Sequence, residues 1–205
     1  LFRSSAASDV YKRQDKILFK KFTDQTGIKI NVIKGSADQL IERLISEGGN
    51  SPADILFTVD AGRLHRAKVA GILQPIESKI LSENIPPSMR DEDDYWFGLT
   101  VRARVLVYSK ERVTPDQLST YEDLANRKWR GKIAVRSSSN IYNQSLMASI
   151  IASNGSRKAL SWAKSIRKNM ARAPRGSDRD QARAVAAGLA DVAIMNTYYL
   201  GILAN

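Results

Sequence analysis

The sequence predicts an α/β fold built on mainly parallel sheets, and three observations carry that prediction. Strand-like and helix-like patterns alternate from Asp15 to the helix that contains His65, which is the arithmetic of βαβ units. The same alternation returns between Lys132 and the chain's end. There the short apolar run Asp191-Val192-Ala193-Ile194-Met195 reads as a buried parallel strand, and it breaks into Asn196-Thr197 before two adjacent tyrosines.

Residues 1–14 do not share this patterning: they lack an apolar stretch behind a basic start and show no amphipathic period. The string Arg3 to Gln14 resembles an adaptor-like leader fused onto sequence reads, so these residues are expected to be foreign to the fold. From Asp15, the residues Ile17, Leu18, Phe19 and Phe22 mark a helix that stops at Gly27, and Ile28, Ile30 and Val32 alternate as a strand. Ser36-Ala37-Asp38-Gln39 has the form of a capping box and opens a helix with Leu40, Ile41, Leu44 and Ile45 inward. Residues 53–59 form the next strand, and Asp60 follows as a helix N-cap, with a role as an acceptor or a ligand as the alternatives. His65 lies in that helix and reads as a surface residue.

Ile85 to Asp94 is a Pro-rich, acidic surface connection, followed by extended segments at 96–99 and 101–108. In the second, Val101, Ala103, Val105 and Val107 share one face while Arg102 and Arg104 share the other. Two arginines on an otherwise buried strand need an anion or an internal carboxylate. Lys132 to Arg136 is a strand, and Ser137-Ser138-Ser139-Asn140 caps a helix running to Gly155, with Tyr142 in its first turn. Ser156 to Met170 is a helix with Leu160, Ala163 and Ile166 inward, and Ser177-Asp178-Arg179-Asp180 starts another that ends at Gly188.

Composition narrows the chemistry. The 205 residues can form one large domain or two small lobes, and 43% hydrophobic with 26% charged residues is ordinary for a globular chain. No apolar run reaches the length of a membrane span. The absence of cysteine removes disulfides, thiolate sites and cysteine nucleophiles, and a single histidine removes a histidine-rich metal site. The net charge of +11 favours acidic partners, yet no helix-turn-helix, zinc finger or aromatic-rich basic face is present, so nucleic acid is not the expected partner. Neither a G-x-S-x-G elbow nor a phosphate loop occurs, and the chain is not expected to be an enzyme.

The tandem Tyr198-Tyr199 sits where open α/β sheets bind ligands, at the carboxyl end of a strand. Asn196-Thr197 before the pair and Gly201 after it can turn the backbone so that both phenols converge. Two phenolic oxygens at one point suit a small, highly charged cation, with ferric iron the best match. Packing against a hinge is the alternative for an isolated pair.

Asn196-Thr197-Tyr198-Tyr199, together with Ser137 to Leu146 and Thr58-Val59-Asp60-Ala61-Gly62-Arg63-Leu64, resembles the ferric-iron-binding substrate-binding proteins of bacterial ABC transporters. The resemblance runs from about Asp15 to the chain's last residues. It implies an α/β, periplasmic-binding-protein-like architecture of two lobes with mainly parallel sheets: residues 15–100 as the N-terminal lobe, 101–112 as a crossover strand and 113–205 as an incomplete C-terminal lobe. It further implies Fe³⁺ held between the lobes by Tyr142, Tyr198 and Tyr199, with a synergistic anion, carbonate, on Arg102 or, as second choice, Arg104. The implied protein is a periplasmic monomer that delivers iron to a permease; a binding protein for another small solute is the neighbouring alternative, and a basic regulatory protein the distant one. The family's first-lobe ligand segment would fall at Lys12-Arg13-Gln14, and its role is not carried onto Tyr11. With that donor segment and a returning chain missing, the chain as given is expected to bind iron more weakly than a full-length relative.

Overall fold

The computed structural model describes residues 4–6 and 13–199, which fall into two compact units, Leu1–Thr100 and Val101–Asn205. The first unit is ordered around a parallel sheet of three short strands, β1 (Ser4–Ala6), β2 (Val32–Ile33) and β3 (Leu56–Phe57), in the order β2-β1-β3. Residues 1–14 were expected to stand apart from the fold, yet Ser5 pairs with Ile33 on one side and Leu56 on the other. A Ser-Ser-Ala strand carries no apolar signature, and backbone pairing needs none. Tyr11 lies outside the described residues.

Helix α1 (Arg13–Thr26) precedes β2, and α2 (Ala37–Glu47) follows it. The capping box forms in both directions, with the Ser36 side chain accepting from the Gln39 N–H and the Gln39 side chain accepting from the Ser36 N–H. Ala37 and Leu40 are buried against Ile33 and Leu56, the core of this unit. Asp60 caps α3 (Ala61–Val69) as expected, its carboxylate accepting from the Gly62 N–H at 3.0 Å. Asp38 of α2 pairs with Arg63 at 3.1 Å and with Arg66, which ties α2 to α3. His65 is exposed.

Past α4 (Lys79–Asn84), the acidic connection is less superficial than its composition suggests. Asp91 is buried and accepts from Lys68 of α3 at 2.7 Å. The segment at 96–99 makes one isolated bridge, Arg90 to Phe97, rather than a full strand. Gly98 is required there, because a Cβ would lie 2.7 Å from the Met89 carbonyl oxygen.

The second unit is built on β4 (Arg104–Tyr108), β5 (Ile133–Ala134) and β6 (Val192–Asn196), with β6 in the middle. β5 runs parallel to β6 and β4 antiparallel to it. All five residues of β6 are buried. Val192 and Ile194 face the main core with Leu124, Trp129, Ile133 and Ile166, while Ala193 packs on the other side with Ala134, Ala184 and Val185. The layers are supplied by α5 (Ile141–Asn154), α6 (Ser156–Asn169) and α7 (Asp178–Ala186).

Two expectations shift here. The face of β4 that holds Arg104 also holds Leu106 and Tyr108, which pack on the main core, whereas Val101 is 76% exposed. The arginine face is therefore the core face, and Arg104 stands where that core gives way to a polar cluster opposite Asn196. In α6, Leu160 is exposed, and Ala159, Trp162, Ile166 and Asn169 turn inward. The Trp162 indole N–H donates to the Tyr121 carbonyl at 2.6 Å, and the Asn169 amide donates to Leu124 and Asn126 carbonyls at 2.9 Å each. Satisfied polar groups decide that face, and a hydrophobic count does not register them.

Candidate metal site

The site grows from the carboxyl end of β6. Asn196 is the strand's last residue, Thr197 turns the chain, and Tyr198 and Tyr199 have helical backbone. Gly201, expected to help that turn, lies outside the described residues. The Thr197 N–H still donates to the Ala103 carbonyl at 3.0 Å, so the turn stays attached to the strand beside it. The two rings stack with centroids 4.3 Å apart and planes tilted by 36°. Consecutive side chains of an extended strand would have pointed to opposite faces.

The third phenol comes from α5. Asn140 is its N-cap, accepting the Tyr142 N–H at 3.2 Å, which fixes Tyr142 in the first turn. The phenols of Tyr142 and Tyr199 both hydrogen-bond to the Tyr198 oxygen, and so does the Asn196 side chain. The tyrosines singled out in the sequence thus meet at one oxygen.

This arrangement divides three similar groups into unequal ones. Burial pushes the Tyr198 phenol up, but the hydrogen bonds it receives from Tyr199, Asn196 and Tyr142, with the Arg102 charge, outweigh burial and hold it below the ordinary phenol range. Tyr142 is pushed up to about 12, first by burial and then by donating to Tyr198. Tyr199 is pushed up for the same two reasons, with the Asp178 charge adding to them. Tyr198 is the phenol prepared to ionise first.

Guanidinium groups surround the cluster. Arg102 lies 5.4 Å over the Tyr198 ring and donates to the Tyr142 hydroxyl at 3.4 Å. Arg104 and Arg136 lie 5.8 and 5.9 Å from the Tyr142 ring, and Arg179 lies 5.8 Å from that of Tyr199. Such a field repels a bare cation while the phenols are neutral and lowers the cost of making them phenolates. Three phenolates balance a trivalent ion, and the remaining positive charge suits a small anion beside it. No group of three or more His, Cys, Asp or Glu arranged to hold a metal ion occurs among the described residues, so hard phenolic oxygen is the donor chemistry this region offers.

The two arginines expected to hold an anion separate sharply. Arg102 is exposed, with the Tyr142 hydroxyl as its hydrogen-bond partner. Arg104 is committed: its Nε and Nη2 donate to Asn143 Oδ1 at 3.2 and 2.7 Å, its Nη1 to Asp178 and Asn196 at 3.1 and 2.9 Å, and its Nη2 also reaches Ile194 O at 3.4 Å. Its N–H groups are taken up by protein acceptors, which favours Arg102 over Arg104 for an anion. The sequence reading missed Asp178, Asn143 and Asn196. Asp178 was read as part of a helix start, and the signal that could have found it is the need of a buried arginine for a carboxylate.

A fold of this kind with a phenol cluster at a strand end is that of a solute-binding protein, and the chain belongs to the bacterial extracellular solute-binding proteins, whose family model matches residues 50–205. It is 53% identical over 189 residues to Iron uptake protein A1 of Synechocystis, an alignment covering 92% of this chain and 52% of the relative. With the Major ferric iron-binding protein of Neisseria gonorrhoeae it shares 26% identity over 194 residues, covering 92% of this chain and 57% of the relative. Among solved structures, the Trichodesmium protein in complex with iron and citrate superposes with a TM-score of 0.93 at 53% identity, covering 98% of this chain and 64% of that one. The ferric binding protein of Campylobacter jejuni gives 0.90 at 45% identity, covering 98% of this chain and 64% of that one. The fold is therefore periplasmic-binding-protein-like. The chain spans about half the length of the curated relatives it matches.

Proposed function

We propose that this chain binds ferric iron through the phenolate oxygens of Tyr142, Tyr198 and Tyr199, as part of a periplasmic, monomeric protein that delivers the ion to the permease of an ABC transporter. The supporting observation is the convergence of phenols from two separate elements on the Tyr198 oxygen, inside a ring of guanidinium groups. The names of the relatives, an iron uptake protein and ferric binding proteins, agree with that chemistry. The residues' part is to supply hard oxygen and a field that favours its ionised form; no bond is made or broken in the cargo.

Arg102 is the residue we assign to the accompanying anion, carbonate in our reading. Its exposed guanidinium beside the Tyr142 oxygen can hold an oxyanion against an ion bound to the phenol. The Trichodesmium relative was solved with citrate, whose carboxylates share that chemistry.

The test is titration with a ferric chelate, followed by visible absorption and competition. Wild type should show a ferric-phenolate band. Tyr198→Phe should abolish or strongly shift it and weaken binding by more than the ~10–100-fold typical of a partner that only supports a ligand. Arg102→Ala should weaken binding only when bicarbonate is present. A normal band and affinity in each of the three single Tyr→Phe variants would assign the tyrosines to packing.

A further inference from the structure

Arg104 is tied into the interior of its unit. Its guanidinium is 9% exposed and pairs with Asp178, which is fully buried. Around that pair meet the first residue of β4, the last residue of β6, the start of α5 and the first residue of α7. Asp178 Oδ2 accepts both from Arg104 Nη1 at 3.1 Å and from the Asn196 backbone N–H at 2.9 Å. Its other oxygen lies 3.5 Å from Arg136 Nη1.

The chemistry of the partners gives the pair a direction. A guanidinium only donates, so any amide beside it must present oxygen. Asn196 therefore turns Oδ1 toward Arg104, at 2.9 Å, which leaves its NH₂ for the Tyr198 oxygen. Asn143 likewise turns Oδ1 toward Arg104, and its NH₂ donates to the carbonyls of Arg136 and Ser137 at 2.9 and 3.2 Å. Asn143 directly follows Tyr142, and Asn196 stands two residues before Tyr198. One guanidinium thus fixes the amide next to each ligand-bearing segment.

We propose that Arg104, held by Asp178, is a positioning residue that presets the spacing and orientation of Tyr142 and Tyr198 through Asn143 and Asn196. The inference rests on the iron reading for its purpose, but its geometric content concerns the protein without iron. Lysine could not replace it, since a single ammonium lacks the planar fork that reaches both asparagines and the carboxylate together.

The experiment uses the full chain carrying Arg104→Lys, with Arg102→Ala alongside. Near-ultraviolet circular dichroism of the iron-free protein reads the tyrosine environment, and ferric chelate competition with and without bicarbonate reads the consequence. Arg104→Lys should alter the iron-free tyrosine signal and shift the ferric band. It should weaken iron binding about tenfold or more, equally with and without bicarbonate, whereas the Arg102→Ala loss should depend on bicarbonate. A wild-type spectrum and affinity in Arg104→Lys would overturn the proposal, and a loss that vanishes without bicarbonate would make Arg104 an anion ligand instead. If Arg104→Lys does not fold, Asn143→Ser removes only the α5 side of the clamp; it should change both signals in the same direction, and wild-type values would equally overturn the proposal. A wild-type chain that takes up no iron refutes the iron reading and leaves the clamp to be judged by the iron-free tyrosine signal.

Discussion

The two ends of β6 use the same device for different ends. At its start Asp191 sits between Arg112 at 2.8 Å and Lys132 at 3.0 Å; at its finish Asp178 sits between Arg104 at 3.1 Å and Arg136 at 3.5 Å. The difference is solvent. Arg112 and Lys132 are 33% and 48% exposed, whereas Arg104 is 9% exposed. Water can replace either partner at the first end but has little access to Arg104 at the second, so the Arg104–Asp178 pair can hold its neighbours in one arrangement.

The largest expected effect follows from that contrast. Asp178→Ala leaves the Arg104 charge buried and unpaired, and unfolding in urea should show a loss of about 3–5 kcal/mol. Equal losses for Asp178→Ala and Asp191→Ala would break the comparison. Next comes Asn196→Ala, which removes the amide between Arg104 and Tyr198. It should lower iron affinity about tenfold while costing roughly 1–3 kcal/mol of stability, and an unchanged affinity at that stability cost would count against positioning. Asp191→Asn should cost only about 1 kcal/mol or less, because its partners remain hydrated.

The smallest effect is in the pH dependence. Burial alone would raise the Asp191 carboxyl, but the bonds from Lys132 and Arg112 outweigh it and hold the group below the usual carboxylate range. A carboxyl lowered in the folded state contributes stability above its unfolded value, near 4, and loses it as pH falls through the folded value. Wild type and Asp191→Asn should therefore differ at pH 7 and converge as pH falls through the lowered folded value, measured by thermal melts.

Much of the fold was legible in the sequence because the signals were local. The Ser36 capping box, the Asp60 N-cap, the Asn140 cap and the apolar run of β6 each depend on residues within a few positions. The tyrosines could be singled out by their place at a strand end and a helix start, and by resemblance. What stayed hidden depends on long-range pairing. Nothing near Arg104 announces that its carboxylate lies at Asp178, whose local pattern says only that a helix begins. The need for an anion or an internal carboxylate on the arginine face of β4 was legible, but which carboxylate answers it was not.

The placement of β6 carries one more consequence. It is flanked by a strand on each side, buried along its whole length, and followed by Thr197, whose N–H remains bonded to Ala103. Its amides should rank among the slowest to exchange with solvent deuterium, opening only when the whole unit unfolds. Tyr198 is rooted at that slow end, not in a fraying segment. An ion held there would leave by protonation of the phenols or by a competing chelator, and the timescale of release would be that of ligand exchange at the metal, uncoupled from breathing of the strand beneath it.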